Sequence, residues 1–238
     1  MASAPRKQSE NSMVTNFKKF LKEDSWGNEI LEKKKKQEDG LKKTQNLHDH
    51  LIKHYSKYVG EHEEHLKKYT DDSSGVNTKL WKTHAKKKLS DDEKYTADRH
   101  SSPKVEWLDS AMHQHKTPDN LTVYSGTNID PRKAKNKEGI VHHPAYMSTS
   151  IMPHIAREFG DLHKGPDGVH EKHMMMIHVP KGSHGAYVGN PKHSYTPEER
   201  EFILPRGTNL RHLESSSHEE NHSIYGKVRY HTHEMEVV

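Results

Sequence analysis

Glu198-Glu199-Arg200-Glu201-Phe202-Ile203-Leu204-Pro205-Arg206-Gly207-Thr208 is the stretch whose reading decides the fold of this chain. Phe202-Ile203-Leu204 is a short apolar run closed by a Pro-Arg-Gly turn, which suits a strand. Carboxylates stand at its entrance. In an extended segment residues two apart point to the same side, so Glu199 and Glu201 are expected to face one site. A Glu-x-Glu alone reads as a solvated acidic turn. The apolar run and Leu-Pro-Arg-Gly behind it set this one apart.

Upstream lie further short runs suited to strands: residues 121–124, 145–150, 174–179 and 185–188, with residues 227–230 downstream. Gly, Pro, Asn or Asp usually separates them. The change of character falls at Pro118-Asp119-Asn120, a turn signal. Before it the apolar spacing is helical. Met13, Val14, Phe17, Phe20 and Leu21 form one stripe; Leu47, Leu51, Ile52, Tyr55, Tyr58 and Val59 form another, with Gly60 as its C-cap. Leu66 and Tyr69 mark a third helix. A serine after Asp71-Asp72 caps a short helix carrying Val76, Leu80 and Trp81. Residues 86–103 read as polar and loop-rich, and Val105, Trp107, Leu108 and Met112 as a last helix. A helical half followed by a strand-rich half predicts an α+β fold. Residues 1–40 read as a charged helical extension and 41–238 as the main domain.

Composition narrows the chemistry. Hydrophobic residues make up 29% and charged residues 30%, so a small core with many solvated faces is expected. The absence of cysteine excludes disulfides, thiolate catalysis and cysteine-ligated zinc. A net charge of +4 is far below that of dedicated nucleic-acid binders. Lys33-Lys34-Lys35-Lys36 reads as a solvated helix face, and nucleic acid is weakly supported as a partner. No apolar run approaches the ~20 residues that span a bilayer, and the first ten residues hold no hydrophobic stretch for a signal peptide. Localisation stays open between a host cytoplasm and carriage in a virion. Among 23 histidines, the pairs His62/His65, His113/His115, His142/His143 and His231/His233 have metal-compatible spacing. The zincin spacing is absent and no third ligand stands out, so no metal site is expected and most histidines are assigned to the surface.

Three segments belong together: Leu121-Thr122-Val123-Tyr124-Ser125-Gly126-Thr127, Tyr146-Met147-Ser148-Thr149-Ser150, and the stretch quoted first. In this order they resemble the arginine–serine–glutamate class of mono-ADP-ribosyltransferases, which includes bacterial toxins and bacteriophage-encoded exoenzymes. In that class one strand ends in aromatic-Arg-Gly, a second carries Ser-Thr-Ser, and a third begins with Glu/Gln-x-Glu. Tyr69-Thr70, Val76-Asn77 and Leu80 resemble the family's helical segment before the first strand. The resemblance runs from about Leu47 to Tyr230. It implies helices packed on a two-sheet β core, NAD as co-substrate and a target protein of unknown identity.

The resemblance also implies roles. Glu201 is the catalytic carboxylate, and Glu199 engages the incoming nucleophile, with Glu-x-Glu going with arginine acceptors. Ser148 hydrogen-bonds the catalytic glutamate, and Thr149 and Ser150 shape the NAD pocket. Tyr124, Ser125 and Gly126 contact the cofactor, with Gly126 where the backbone approaches nicotinamide. The physics agrees: breaking the nicotinamide–ribose bond develops oxocarbenium character that a carboxylate stabilises. One departure is plain. Ser125 stands where the family has arginine, and serine supplies no positive charge. Arg132 and Arg157 are the candidate substitutes, Arg157 the preferred one. A second reading follows from the same departure: a catalytically silent domain of this fold acting as a virion structural or protein-binding module. The segment from Tyr187 to Glu199 corresponds to the target-facing loop of relatives, with Tyr195 a candidate contact.

Overall fold

The structure is a computed structural model that describes residues 25–56, 61–98, 102–128 and 130–238. The expected helix over Met13 to Leu21, and the cap at Gly60, lie outside these residues. The chain divides into two compact units, Met1–Leu47 and His48–Val238. In the first, the described residues are the start of helix α1 (Ser25–His54), where Lys35 and Lys36 are exposed as a solvated face requires.

The second unit opens with the end of α1. Leu51 and Tyr55, one helical turn apart, are both buried. Helices α2 (Glu61–Asp71), α3 (Ser74–His84), α4 (Asp91–Asp98) and α5 (Val105–Gln114) follow. Most of the apolar stripes read from the sequence face inward: Leu66, Tyr69, Val76, Leu108 and Met112 are buried, while Trp81 at the end of the α3 stripe is exposed. Two local details differ from expectation. The start of α3 is capped by Asp72, not by a serine side chain: its Oδ1 accepts from the Ser74 backbone N–H at 2.9 Å. Residues 86–103 are not all loop. Ser90 Oγ accepts from the Glu93 N–H at 3.2 Å, and the Glu93 carboxylate accepts from the Ser90 N–H at 2.7 Å. This reciprocal box satisfies two orphan donors and starts α4, although that helix has no buried residue.

The strands are β1 (Leu121–Thr127), β2 (Ile140–His143), β3 (Met147–Ser150), β4 (His163–Lys164), β5 (His170–Val179), β6 (Ala186–Tyr187), β7 (Glu201–Leu204), β8 (Thr208–His222) and β9 (Gly226–Val237). Two short helices, α6 (Pro131–Ala134) and α7 (Pro153–Glu158), are inserted among them. The two-sheet core expected from the sequence takes the form of one connected path of nine strands, ordered β2-β8-β9-β5-β1-β3-β7-β6, with β4 beside β5. The β5–β9 pair is parallel and the rest are antiparallel. β8 escaped the sequence reading because it has little apolar alternation. Past Leu210 it is almost wholly exposed, and its order comes from backbone pairing with β9.

The Pro-Arg-Gly turn after β7 has a structural use. Arg206 grips both carboxylate oxygens of Asp109 on α5 through Nε and Nη2, at 2.7–3.0 Å. Tyr146 Oη donates to the same carboxylate at 2.6 Å. Helix and sheet are thereby clamped beside the site.

α7 lies across β1. A Cβ on Gly126 would stand 2.1 Å from the Phe159 carbonyl oxygen and 2.6 Å from that of Ala156. Gly126→Ala is therefore expected to overpack α7 against β1 and cost about 1–3 kcal/mol. The measurement is the urea unfolding midpoint; an unchanged midpoint contradicts this packing.

Candidate active site

The sheet order makes neighbours of motifs far apart in the chain. Tyr124 on β1 pairs with Ser150 on β3, and Ser150 pairs with Glu201 on β7. These strands, with α2, α3 and α7, enclose a cavity of about 400 Å³. Tyr69, Trp81, Tyr124 and Phe159 give it aromatic walls, and Ser148, Glu199 and Glu201 bring polar groups to it.

Glu201 opens β7 and is only 7% exposed. Burial pushes its carboxyl up to about 7; the hydrogen bond from Ser148 pulls the other way, and the charge of Glu199 adds to the rise. Ser148 is the one exposed member of β3. Its Oγ lies 3.3 Å from Tyr69 Oη, to which Asn77 Nδ2 donates at 3.1 Å. An Asn77–Tyr69–Ser148–Glu201 chain thus anchors the carboxylate from the helical layer. Tyr69 is fully buried and its hydroxyl is held protonated, chiefly by that burial. The family-like segment pointed to Tyr69 and Asn77, but nothing local in their spacing revealed that they back the serine.

Glu199 reaches the same cavity by a route the sequence did not foresee. Glu199 ends a 3₁₀ turn (Pro197–Glu199), and Arg200 is left-handed, with φ 49°. The Glu199–Glu201 segment is therefore not extended, and strand alternation is not what aligns the two carboxylates. The left-handed residue folds the turn back so that both line the cavity. Three bonds hold it: Ser150 Oγ donates to Glu199 O at 2.7 Å, Ile151 N–H to Arg200 O at 3.3 Å, and Val188 N–H to Glu201 O at 2.9 Å. Burial also raises the Glu199 carboxyl, helped by the charges of Glu198 and Glu158.

The remaining hydroxyls are committed to the backbone. Thr149 Oγ1 donates to the Phe202 carbonyl and fixes β3 to β7. Ser150 Oγ, besides serving Glu199, accepts from the Met152 N–H at 2.9 Å. Ser125 is buried and donates to the Ser148 carbonyl at 2.9 Å, tying β1 to β3. Thr149, Ser150 and Ser125 line the cavity with their hydroxyls already engaged. Gly126 lines it too, and the backbone of α7 fills the space that a side chain would need.

Neither candidate cation is brought into the cavity. Arg157 is 41% exposed on α7 and turns toward the β8–β9 hairpin, 3.6 Å from Glu220 and over the Tyr230 ring at 5.2 Å. Arg132 grips Asp130 at 2.8 Å. Among the described residues no lysine or arginine lines the cavity; His143, edge-on to Trp81 at 5.0 Å, lines it too, its pKa lowered chiefly by burial. On the loop before Glu199, Tyr195 is exposed, with Lys67 Nζ 4.7 Å above its ring.

No curated protein sequence matches the chain. Among solved structures it is similar to Plx2a, an ADP-ribosyltransferase toxin from Paenibacillus larvae, at 20% identity and TM-score 0.54, over 82% of this chain and 96% of that one. C3stau2 from S. aureus, solved with NAD, matches at 21% identity and TM-score 0.53, over 81% and 95%. The ADP-ribosyltransferase Vis, solved with agmatine, matches at 16% identity and TM-score 0.52, over 84% and 85%. At these identities the likeness shows a shared fold. The sequence pattern of the ADP-ribosyltransferase exoenzyme family, in contrast, matches residues 23–230, nearly the whole chain, and the chain belongs to that family.

Proposed function

We propose that this protein transfers ADP-ribose from NAD to an arginine side chain of a target protein, with Glu201, Glu199 and Ser148 as its catalytic residues. The carrying observation is the convergence of two burial-raised carboxylates on one cavity, with Glu201 held by Ser148. NAD-dependent ADP-ribosyl transfer is the chemistry of the family. A 400 Å³ cavity with aromatic walls and a carboxylate at its inner end suits a nicotinamide riboside moiety.

Each residue has a task that follows from its surroundings. Ionised Glu201 accepts a hydrogen bond from a ribose hydroxyl and stabilises the positive charge that develops as the glycosidic bond lengthens. Ser148, backed by Tyr69 and Asn77, keeps that carboxylate in one orientation. Glu199 takes a proton from the incoming guanidinium, which is a poor nucleophile while protonated. Agmatine, bound by the structural neighbour Vis, carries the same guanidinium group, which supports this acceptor class. Tyr195 on the exposed loop is the proposed target contact. The cofactor phosphates would lie along a cavity wall that includes Thr70, Ser73 and Asn77 and holds no lysine or arginine among the described residues. A buried, Ser148-held glutamate favours an active enzyme over the silent-domain reading.

No described helix is long and apolar enough to cross a membrane. Residues 41–238 are the proposed transferase domain and residues 1–40 its extension.

The function is tested with labelled NAD and an arginine-rich acceptor. Glu201→Gln keeps the shape and loses the charge, so transfer should fall at least ~10²-fold while NAD affinity changes little. Near-normal turnover in this variant refutes the assignment.

Glu199→Gln should abolish arginine transfer but leave slow NAD hydrolysis, because the acceptor's base is lost and bond cleavage is not. Equal loss of both activities contradicts the division of labour.

The raised Glu201 carboxyl also fixes a pH dependence. Only its ionised form stabilises the cation, so kcat/KM for NAD hydrolysis should fall about tenfold per pH unit below ~7. Stability runs the opposite way. The folded state holds this proton more tightly than the unfolded state, whose carboxyl titrates near 4.5. Glu201's contribution is therefore complete below 4.5 and lost as pH rises through 7. The thermal midpoint of Glu201→Gln should exceed that of the wild type by a margin that widens from pH 5 to pH 8. A margin constant with pH would mean that the carboxyl is not raised.

A further inference from the structure

His173 on β5 and His233 on β9 are 3% and 0% exposed, at positions where a sheet normally packs apolar side chains. His173 Nδ1 and His233 Nε2 are 2.8 Å apart. A carboxylate oxygen of Asp130 completes a trio in which one atom from each residue lies within 4.8 Å of the others. All three lie in the unit His48–Val238 and none lines the catalytic cavity.

We propose that Asp130, His173 and His233 form a binding site for a divalent transition-metal ion of the zinc class. Two imidazoles and one carboxylate are the donors such borderline ions select, and three protein ligands leave the fourth tetrahedral position to water.

The surroundings orient each donor. His233 Nδ1 is 2.8 Å from Ser215 Oγ, and that hydroxyl is 2.8 Å from His212 Nε2. With His233 Nδ1–H donating to Ser215, and Ser215 donating to His212, the Nε2 lone pair of His233 points at the trio. An outer partner of this kind fixes the tautomer of metal-bound histidines. The Asp130 carboxylate is gripped by the Arg132 guanidinium at 2.8–3.1 Å and by the Arg132 N–H at 2.9 Å. Arg132 contacts each oxygen twice, and the longest of these contacts, Nε to Oδ2 at 3.1 Å, is the one an ion would displace.

Proton balance is simple. Without an ion, His173 Nδ1–H donates to His233 Nε2. On binding, that proton moves to His173 Nε2, and the two facing nitrogens both become ligands. Two ligands on a tetrahedral ion with bonds of ~2.0–2.1 Å stand about 3.3 Å apart, so the rings need to part by roughly half an ångström. His173 also belongs to a second trio, with His163 and Glu171. That set is the weaker one, because the His163 side chain is 42% exposed whereas both histidines of the first trio are buried.

The test uses the full chain stripped with a chelator and then given ZnCl₂ or CoCl₂ alone. One equivalent should bind ahead of the surface histidines, raise the thermal midpoint by several degrees and, with cobalt, give the visible bands of a four-coordinate histidine–carboxylate site. His233→Gln should weaken the first site at least ~100-fold, and Ser215→Ala about tenfold, as expected for an outer partner. His113→Gln, at an exposed pair, should change nothing. No saturation at one equivalent, or wild-type affinity in His233→Gln, overturns the site. If His233→Gln does not fold, the cobalt spectrum of the wild type decides alone: octahedral bands, or none, refute the proposal.

Discussion

One residue in a left-handed backbone conformation organises the cavity that Glu199 and Glu201 line. Arg200, at φ 49°, joins a 3₁₀ turn to the first residue of β7. A non-glycine residue pays about 1 kcal/mol or more for that conformation. The compensation is visible around it, in the bonds from Ser150, Ile151 and Val188 to the carbonyls of Glu199, Arg200 and Glu201. The Ser-Thr-Ser strand is thus two things at once. Ser148 presents a hydroxyl to the carboxylate, while Thr149 and Ser150 hold the backbone that presents the carboxylate.

Ser125 fits the same logic of hydroxyls committed to the scaffold. Its bond to the Ser148 carbonyl locks β1 to β3 where relatives place a charged side chain. The cavity therefore carries negative potential from two glutamates and no guanidinium or ammonium among its lining residues. Burial raises both carboxyls, that of Glu201 to about 7. A cationic nicotinamide ring and a guanidinium acceptor are the kinds of group such a field attracts.

Two groups of histidines contrast among the described residues. His113 and His184 lie ring to ring, as do His84 and His142, as part of an imidazole-rich surface. His163, His173, His231 and His233 instead stack across β4, β5 and β9, with centroids 4.6 Å apart at the closest pair. The parallel pairing of β5 with β9 creates this stack, because it sets His173 opposite His231 and Met175 opposite His233. β1 lies beside β5, with Thr127 opposite His173, so the histidine layer sits just past the Ser125-Gly126 end of the first motif.

The sequence by itself determined the class of fold, the motifs and most of the helices and strands. Those signals are local: helical spacing at Leu51, Tyr55, Leu66 and Tyr69, apolar runs at Val123 and Phe202-Ile203-Leu204, and the Glu-x-Glu entrance to β7. Even the missed α4 was legible, since Ser90-Asp91-Asp92-Glu93 is a capping-box pattern. Tertiary structure alone decided where the side chains point. It sent Arg157 to Glu220 and Arg132 to Asp130, spent Ser125 on a strand carbonyl, and enlisted Tyr69 and Asn77 behind Ser148. It also brought Asp130, His173 and His233 together across the sheet. The reason is the same in each case. Periodicity encodes which face of an element is buried, but a polar group's partner is set by strand pairing and turn geometry between segments distant in the chain. Those pairings leave no spacing in the sequence to read.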